Sequence, residues 1–401
     1  KLDSSRVQSA LRDFETLWLL SAERIQRRWT DASYLWRLAC LARAEGDAEA
    51  LALIRSRLDE LQQHSHDPNS RRWLKEIMTL PGGRPSPIGL GKVLRLLAEA
   101  FPGLGRRLPW PYDALAAKIV FELRLPRVLL SVLAGMALAL AGLIFQGVFR
   151  NPMADPYVLG TSAGAALGAA VAYALGADYG FLGLSGVTLA ALAGAVLATG
   201  LAFSLARAGR GLSLFILLLN GLALSFLLSS ALALLMIFRR HEAQYVMAWL
   251  MGGLSSSRWP QVFLVLPCLA GGLVFALGRA RELNALLLGE ERAHHLGLAP
   301  QRLQWELSLA ASLLVTAAVS TSGIIGFVGL VVPHAARLLC GPDHRTLIPL
   351  STLAGGLFLL LADTAARTVL APLEIPVGIV TALVGAPVFI YLLRRMGFRS
   401  R

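Results

Sequence analysis

Eight stretches of this chain contain no Asp, Glu, Lys or Arg, at 128–149, 156–177, 179–206, 211–238, 259–278, 307–336, 346–362 and 375–393. A helix rises 1.5 Å per residue, so roughly 20 apolar residues cover the ~30 Å hydrocarbon core of a bilayer. Most of the eight are long enough alone, and the core of a soluble protein does not supply so many in succession. Hydrophobic residues make up 55% of the 401 positions and charged residues 16%, which fits the same reading. The fold class that follows is all-α, a polytopic membrane bundle.

The run at 307–336 holds two elements, because Ser322-Gly323 and Pro333 interrupt it. At about 45 Å it also exceeds a single crossing. Splitting it gives nine expected spans, at about 128–149, 156–177, 183–206, 212–238, 260–278, 306–323, 325–340, 346–368 and 376–393.

Residues 1–85 follow different rules. Charges interrupt every apolar run, while Leu35, Leu38, Leu41 and Ala42, and then Leu51, Ile54, Leu58 and Leu61, recur at helical spacing. This segment reads as a soluble all-helical module, and 86–401 as the transmembrane domain. Pro81-Gly82-Gly83-Arg84-Pro85 joins them.

The net charge of +13 does not point to nucleic acid. Beyond residue 123 the arginines cluster in the connectors between apolar runs, as they do where charge sets membrane orientation. Thirteen arginines, from Arg150 to Arg401, fall on one set of connectors; Arg124, Arg127, Arg239, Arg240, Arg258 and Arg367 fall on the other. The richer side, with the C-terminus, is expected to be cytoplasmic. Nine crossings then place the module at 1–85 outside the cytoplasm. Cys40, Cys268 and Cys340 form no pair or metal-ligand spacing, and neither a catalytic constellation nor a metal site stands out.

Several local patterns carry structural meaning. Gly160, Gly164 and Gly168 are four apart and are expected to form one close-packing helical face. Asn151-Pro152 and Asp155-Pro156 mark a tight turn. Gln146 sits in an apolar helix, where an amide needs either a helix–helix hydrogen bond or a water-filled path. The connector 279–302 is short-helical in pattern, and its adjacent His294 and His295 are not spaced to chelate one ion.

Four blocks carry a family resemblance. They are Arg124-Leu125-Pro126-Arg127 through Asn151-Pro152 to Gly168; Leu288-Gly289-Glu290 to Leu296-Gly297; Gly326-Phe327-Val328-Gly329 to Pro333-His334; and Leu361-Ala362-Asp363 through Pro376 to Gly385-Ala386-Pro387. In order and spacing, residues 88–401 resemble the permeases of type II ABC importers, which carry iron–siderophore complexes, haem and cobalamin.

The resemblance implies that Gln146 lies on the translocation pathway. It implies that Leu288, Gly289, Glu290, Glu291, His294, Leu296 and Gly297 belong to coupling helices seated on an ATPase subunit. It implies that Arg124, Arg127 and Arg367 dock an extracytoplasmic substrate-binding protein; the other reading of these arginines is headgroup snorkelling. It further implies a homodimer in a bacterial inner membrane, with two copies of an ATP-binding subunit. ATP and Mg belong to that partner, because no Gly-x-x-x-x-Gly-Lys-[Ser/Thr] occurs in these 401 residues. Family permeases have ten spans, so a first span is expected upstream of Lys1.

Two other function classes compete. A secondary transporter driven by an ion gradient keeps ionisable residues in its spans. Here only Asp363 and Arg367 approach a span interior, and at four apart they are placed to pair with each other. A membrane sensor with the N-terminal module as its receptor is the third class.

Overall fold

The computed structural model describes residues 119–177, 180–207, 213–370 and 373–397. The expected module at 1–85 lies outside the described residues. Twelve α-helices occur among the described residues, with no strand longer than an isolated bridge.

The first helix, α1 (Leu125–Val148), continues from a π-helical turn at Ile119–Arg124 and occupies the centre of the bundle. Its composition explains why. Ala134, Gly135, Ala137, Ala139, Ala141 and Gly142 are all buried, and such small side chains let neighbouring backbones approach. A Cβ added at Gly135 would meet Leu359 Cβ at 2.7 Å, on α11 (His344–Thr368). One added at Gly142 would meet Gly329 Cα at 2.6 Å, on α10 (Val328–Cys340).

Two helices that the sequence presents as full crossings are short. α2 (Thr161–Leu175) has 15 residues and α10 has 13. At 1.5 Å per residue they are about 22 and 20 Å long, less than the ~30 Å core. The expected spans 156–177 and 325–340 are therefore part helix and part irregular backbone. Backbone polar groups at membrane depth need partners inside the protein. Tyr157 supplies one, since its hydroxyl donates to the Ile325 carbonyl at 2.7 Å and accepts from the Ile325 amide at 3.2 Å. The non-helical ends of α2 and α10 are thus joined directly. Asx turns hold the approach to α2, with Met153 N–H on Asn151 Oδ1 and Tyr157 N–H on Asp155 Oδ1.

Gly164 and Gly168 face α3 (Gly186–Arg207), where added Cβ atoms would lie 3.0 Å from Gly194 C and 2.8 Å from Ala190 C. Gly160 departs from the one-face expectation. It precedes α2 with φ +79°, a left-handed conformation open to glycine, and it looks instead toward Gly221 on α4 (Leu214–Phe238).

The remaining long apolar helices are α6 (Trp259–Gly278) and α9 (Pro300–Ser322). With α1, α3, α4 and α11 they make six, among the described residues, that are long and apolar enough to cross a membrane. α12 (Val377–Gly397) completes the set of nine apolar helices, as a shorter described apolar stretch at 377–392. The split of the 307–336 run falls where Ser322-Gly323 placed it. α9 buries a row of hydroxyls, several of them bonded back along the helix: Ser312 donates to the Ser308 carbonyl and Ser322 to that of Ala318, both at 2.8 Å.

One helix was not anticipated. α5 (Ala243–Leu250) lies in the connector after α4, buries Val246 and stacks Tyr245 on Tyr173 at 6.0 Å. The connector after α6 forms α7 (Ala280–Leu287) and α8 (Glu290–His295), as its short-helical pattern predicts.

Candidate functional site: a docked coupling corner and two polar locks

The α7–α8 corner is fastened to the bundle by side chains from distant parts of the chain. Asn284 on α7 donates to Asp343 Oδ1 at 2.7 Å, and its own Oδ1 accepts the His344 backbone N–H at 2.9 Å. Asp343 also caps α11 by accepting the Arg345 N–H at 3.0 Å. The Arg345 amide and the Asn284 amide together hold the Asp343 carboxyl below its ordinary range. Glu290, at the start of α8, accepts from Arg150 at 3.3 Å and from Gln304 on α9 at 3.1 Å. Below these polar ties, Leu283 and Leu286 are fully buried.

The seven residues expected to couple divide into three roles. Leu288 and Leu296 are 55% and 63% exposed, and with Glu291 and His294 they form the outward surface of the corner. Gly289 and Gly297 sit at φ +109° and +81° and set the turns that bracket α8. Glu290 is the anchor, half-exposed and tied to Arg150 and Gln304. The sequence did not reveal Asn284, Asp343, Arg150 or Gln304 as its fasteners. Only the Asp343 N-cap before an apolar run is a readable signal.

Gln146 is 2% exposed and lies between α1 and α10. Of its two readings, the helix–helix hydrogen bond is present. Pro333 has no N–H, so it leaves the carbonyl four residues back, on Gly329, without its helical donor. The Gln146 amide donates to Leu330 O at 3.1 Å and Gly329 O at 3.4 Å, filling that gap. Arg337 closes the lock by donating to Gln146 Oε1 at 3.2 Å.

The outer arginines also separate. Arg127 donates to Asp363 from Nη2 at 2.9 Å and from Nε at 3.0 Å, and its Nη1 reaches Glu374 at 3.0 Å. Asp363 has no exposed side-chain surface, and Arg367 pairs with it one helical turn on, at 3.1 Å. Arg127 keeps only 12% exposure and is committed to this lock. Arg124 is exposed, and Arg367 is partly so.

Set against known sequences, the FecCD transport family matches residues 85–395, all but the last two of the described residues. The chain belongs to that family. As a member it is the membrane-spanning permease of an ABC importer. Among its relatives, the cobalamin import system permease protein BtuC of Halobacterium salinarum is 44% identical over 326 residues, 78% of this chain and 87% of that one. The hemin transport system permease protein HmuU of Yersinia pestis is 41% identical, over 69% of this chain and 83% of the relative. The iron(3+)-hydroxamate import system permease protein FhuG of Bacillus subtilis is 40% identical, over 69% and 84%. A solved structure described as a metal-chelate type ABC transporter, inward-facing, superposes with a TM-score of 0.65 at 31% identity. The match covers 76% of this chain and 96% of that one.

Proposed function

We propose that two copies of this chain form the membrane pathway of an importer for a bulky metal chelate of the cobalamin, haem or ferric-hydroxamate kind. ATP hydrolysis falls to a separate subunit, bound as two copies beneath the α7–α8 corners in a bacterial inner membrane. The observation that carries the reading is the corner itself. Three side chains outside α7 and α8, Arg150, Gln304 and Asp343, fix it to the loop after α1, α9 and α11, while its apolar tip stays uncovered. A rigid element standing on a second protein transmits a rigid-body motion to the helices it is bolted to. The relatives' cargoes supply the substrate class, and a path shared by two copies suits so large a solute. A substrate-binding protein docks on the outer face, with Arg124 and Arg367 as its cationic contacts.

The ion-driven alternative needs a carboxylate free to take up and release its ion. Asp363 is instead held between two arginines, which favours the ATP-driven reading. The test is to replace Leu288 and Leu296 together by Asp. The assembled transporter should then lose cargo-stimulated ATP hydrolysis, while the permease keeps its thermal stability. Unchanged stimulation would remove the corner from the mechanism.

A further inference from the structure

A groove of about 460 Å³ runs between α3 and α9, lined by none of the residues of the two polar locks. Its wall is apolar along Val196, Gly200, Leu309 and Leu313. Its mouth is cationic, because Arg207 ends α3 and Arg302 lies in the first turn of α9. The rise from Arg207 back to Val196 is about 16 Å at 1.5 Å per residue, close to one leaflet of a ~30 Å core. The arginine count sets this mouth on the cytoplasmic side.

Trp305 stands between the two chemistries. It is 8% exposed, packs edge-on against Phe203 at 4.8 Å and carries the Arg207 guanidinium 5.4 Å above its ring. Trp305 lines the groove, and its buried indole N–H has no acceptor among the described residues, although a buried donor ordinarily has one. Nor does a described carboxylate pair with Arg207. Arg302 and Arg279 share Glu306, at 2.9 and 3.1 Å, and Arg279 also holds Glu282. Three guanidiniums thus face two carboxylates at the mouth, leaving it positive.

We propose that this groove binds an anionic phospholipid of the cytoplasmic leaflet. One acyl chain lies along Gly200 and Leu313, and the phosphate accepts hydrogen bonds from Arg207, Arg302 and the Trp305 indole. Basic pockets between spans on the cytoplasmic side are suited to such headgroups. Gly200 allows the chain to be shut out without disturbing the fold, since an added Cβ there meets nothing within 4 Å.

The experiment is native mass spectrometry of the full-length chain in detergent, titrated separately with phosphatidylglycerol, phosphatidylcholine and glycerol phosphate. Phosphatidylglycerol should be retained on the order of tenfold more strongly than phosphatidylcholine, and glycerol phosphate should not compete. Arg207→Gln with Arg302→Gln should abolish the preference, and Trp305→Phe should weaken it. Gly200→Leu should expel both lipids while leaving the melting temperature unchanged. Equal retention of the two phospholipids would overturn the proposal. So would displacement by glycerol phosphate alone, undiminished binding in Gly200→Leu, or a dimeric mass that takes up no lipid because a second copy covers the groove.

Discussion

Arg127 at the start of α1 and Asp363 near the end of α11 are joined across 236 residues of sequence by a charged contact of 2.9 Å, with the carboxylate fully buried. Removing one partner of a buried ion pair strands the other charge and costs about 3–5 kcal/mol. Arg127→Ala should therefore lower the chain's stability, by less than that because Arg367 still pairs with Asp363 at 3.1 Å. Arg127→Met with Asp363→Leu should restore most of it. Thermal unfolding in detergent reads both; equal losses in the single and double variants would show that the pair does not act as a unit.

The lock at Gln146 predicts a coupling with a proline. Gln146→Leu should cost about 1–3 kcal/mol, because the Gly329 carbonyl then has no donor. In a Pro333→Ala background, the helix supplies its own N–H to that carbonyl, so the same replacement should cost less. A double-mutant cycle that proves additive would mean the amide and the proline are unrelated.

Much of this arrangement was readable in the sequence, and the parts that were not share one cause. Long charge-free runs announce spans because lipid leaves a helix few alternatives. The break at Ser322-Gly323, the Asp363–Arg367 pairing and the α7–α8 helices were legible for a similar reason, since each depends on residues a turn or two apart. The partners of Gln146 and Arg127 lie 184 and 236 positions away, beyond the reach of any local pattern. An isolated amide or arginine shows that it needs a partner, not where that partner is. α2 and α10 were drawn too long because hydropathy reports an apolar environment and does not distinguish helix from a buried turn sealed by Tyr157. α5 escaped notice because eight residues are too few to stand out in a connector.

At the outer face, Arg124 and Arg367 are the proposed docking contacts, the first exposed and the second partly so. Reversing both to Glu should weaken capture of the substrate-binding protein, most strongly at low salt, where screening is least. Basal ATP hydrolysis by the permease with its ATPase should persist. Binding measured by surface plasmon resonance across salt concentrations decides it; affinity equal to the unmodified chain at every concentration would leave these arginines as lipid anchors.

The central claim is that movement of the chelate is driven by a partner's ATP hydrolysis and not by an ion gradient. The direct measurement is uptake of radiolabelled cobalamin, haem or ferric hydroxamate, matched to the cognate binding protein, into proteoliposomes holding the chain and its ATPase. Uptake should require ATP and Mg and should be unchanged when ionophores collapse the proton and sodium gradients. Uptake that continues without ATP and stops when those gradients collapse would contradict the account.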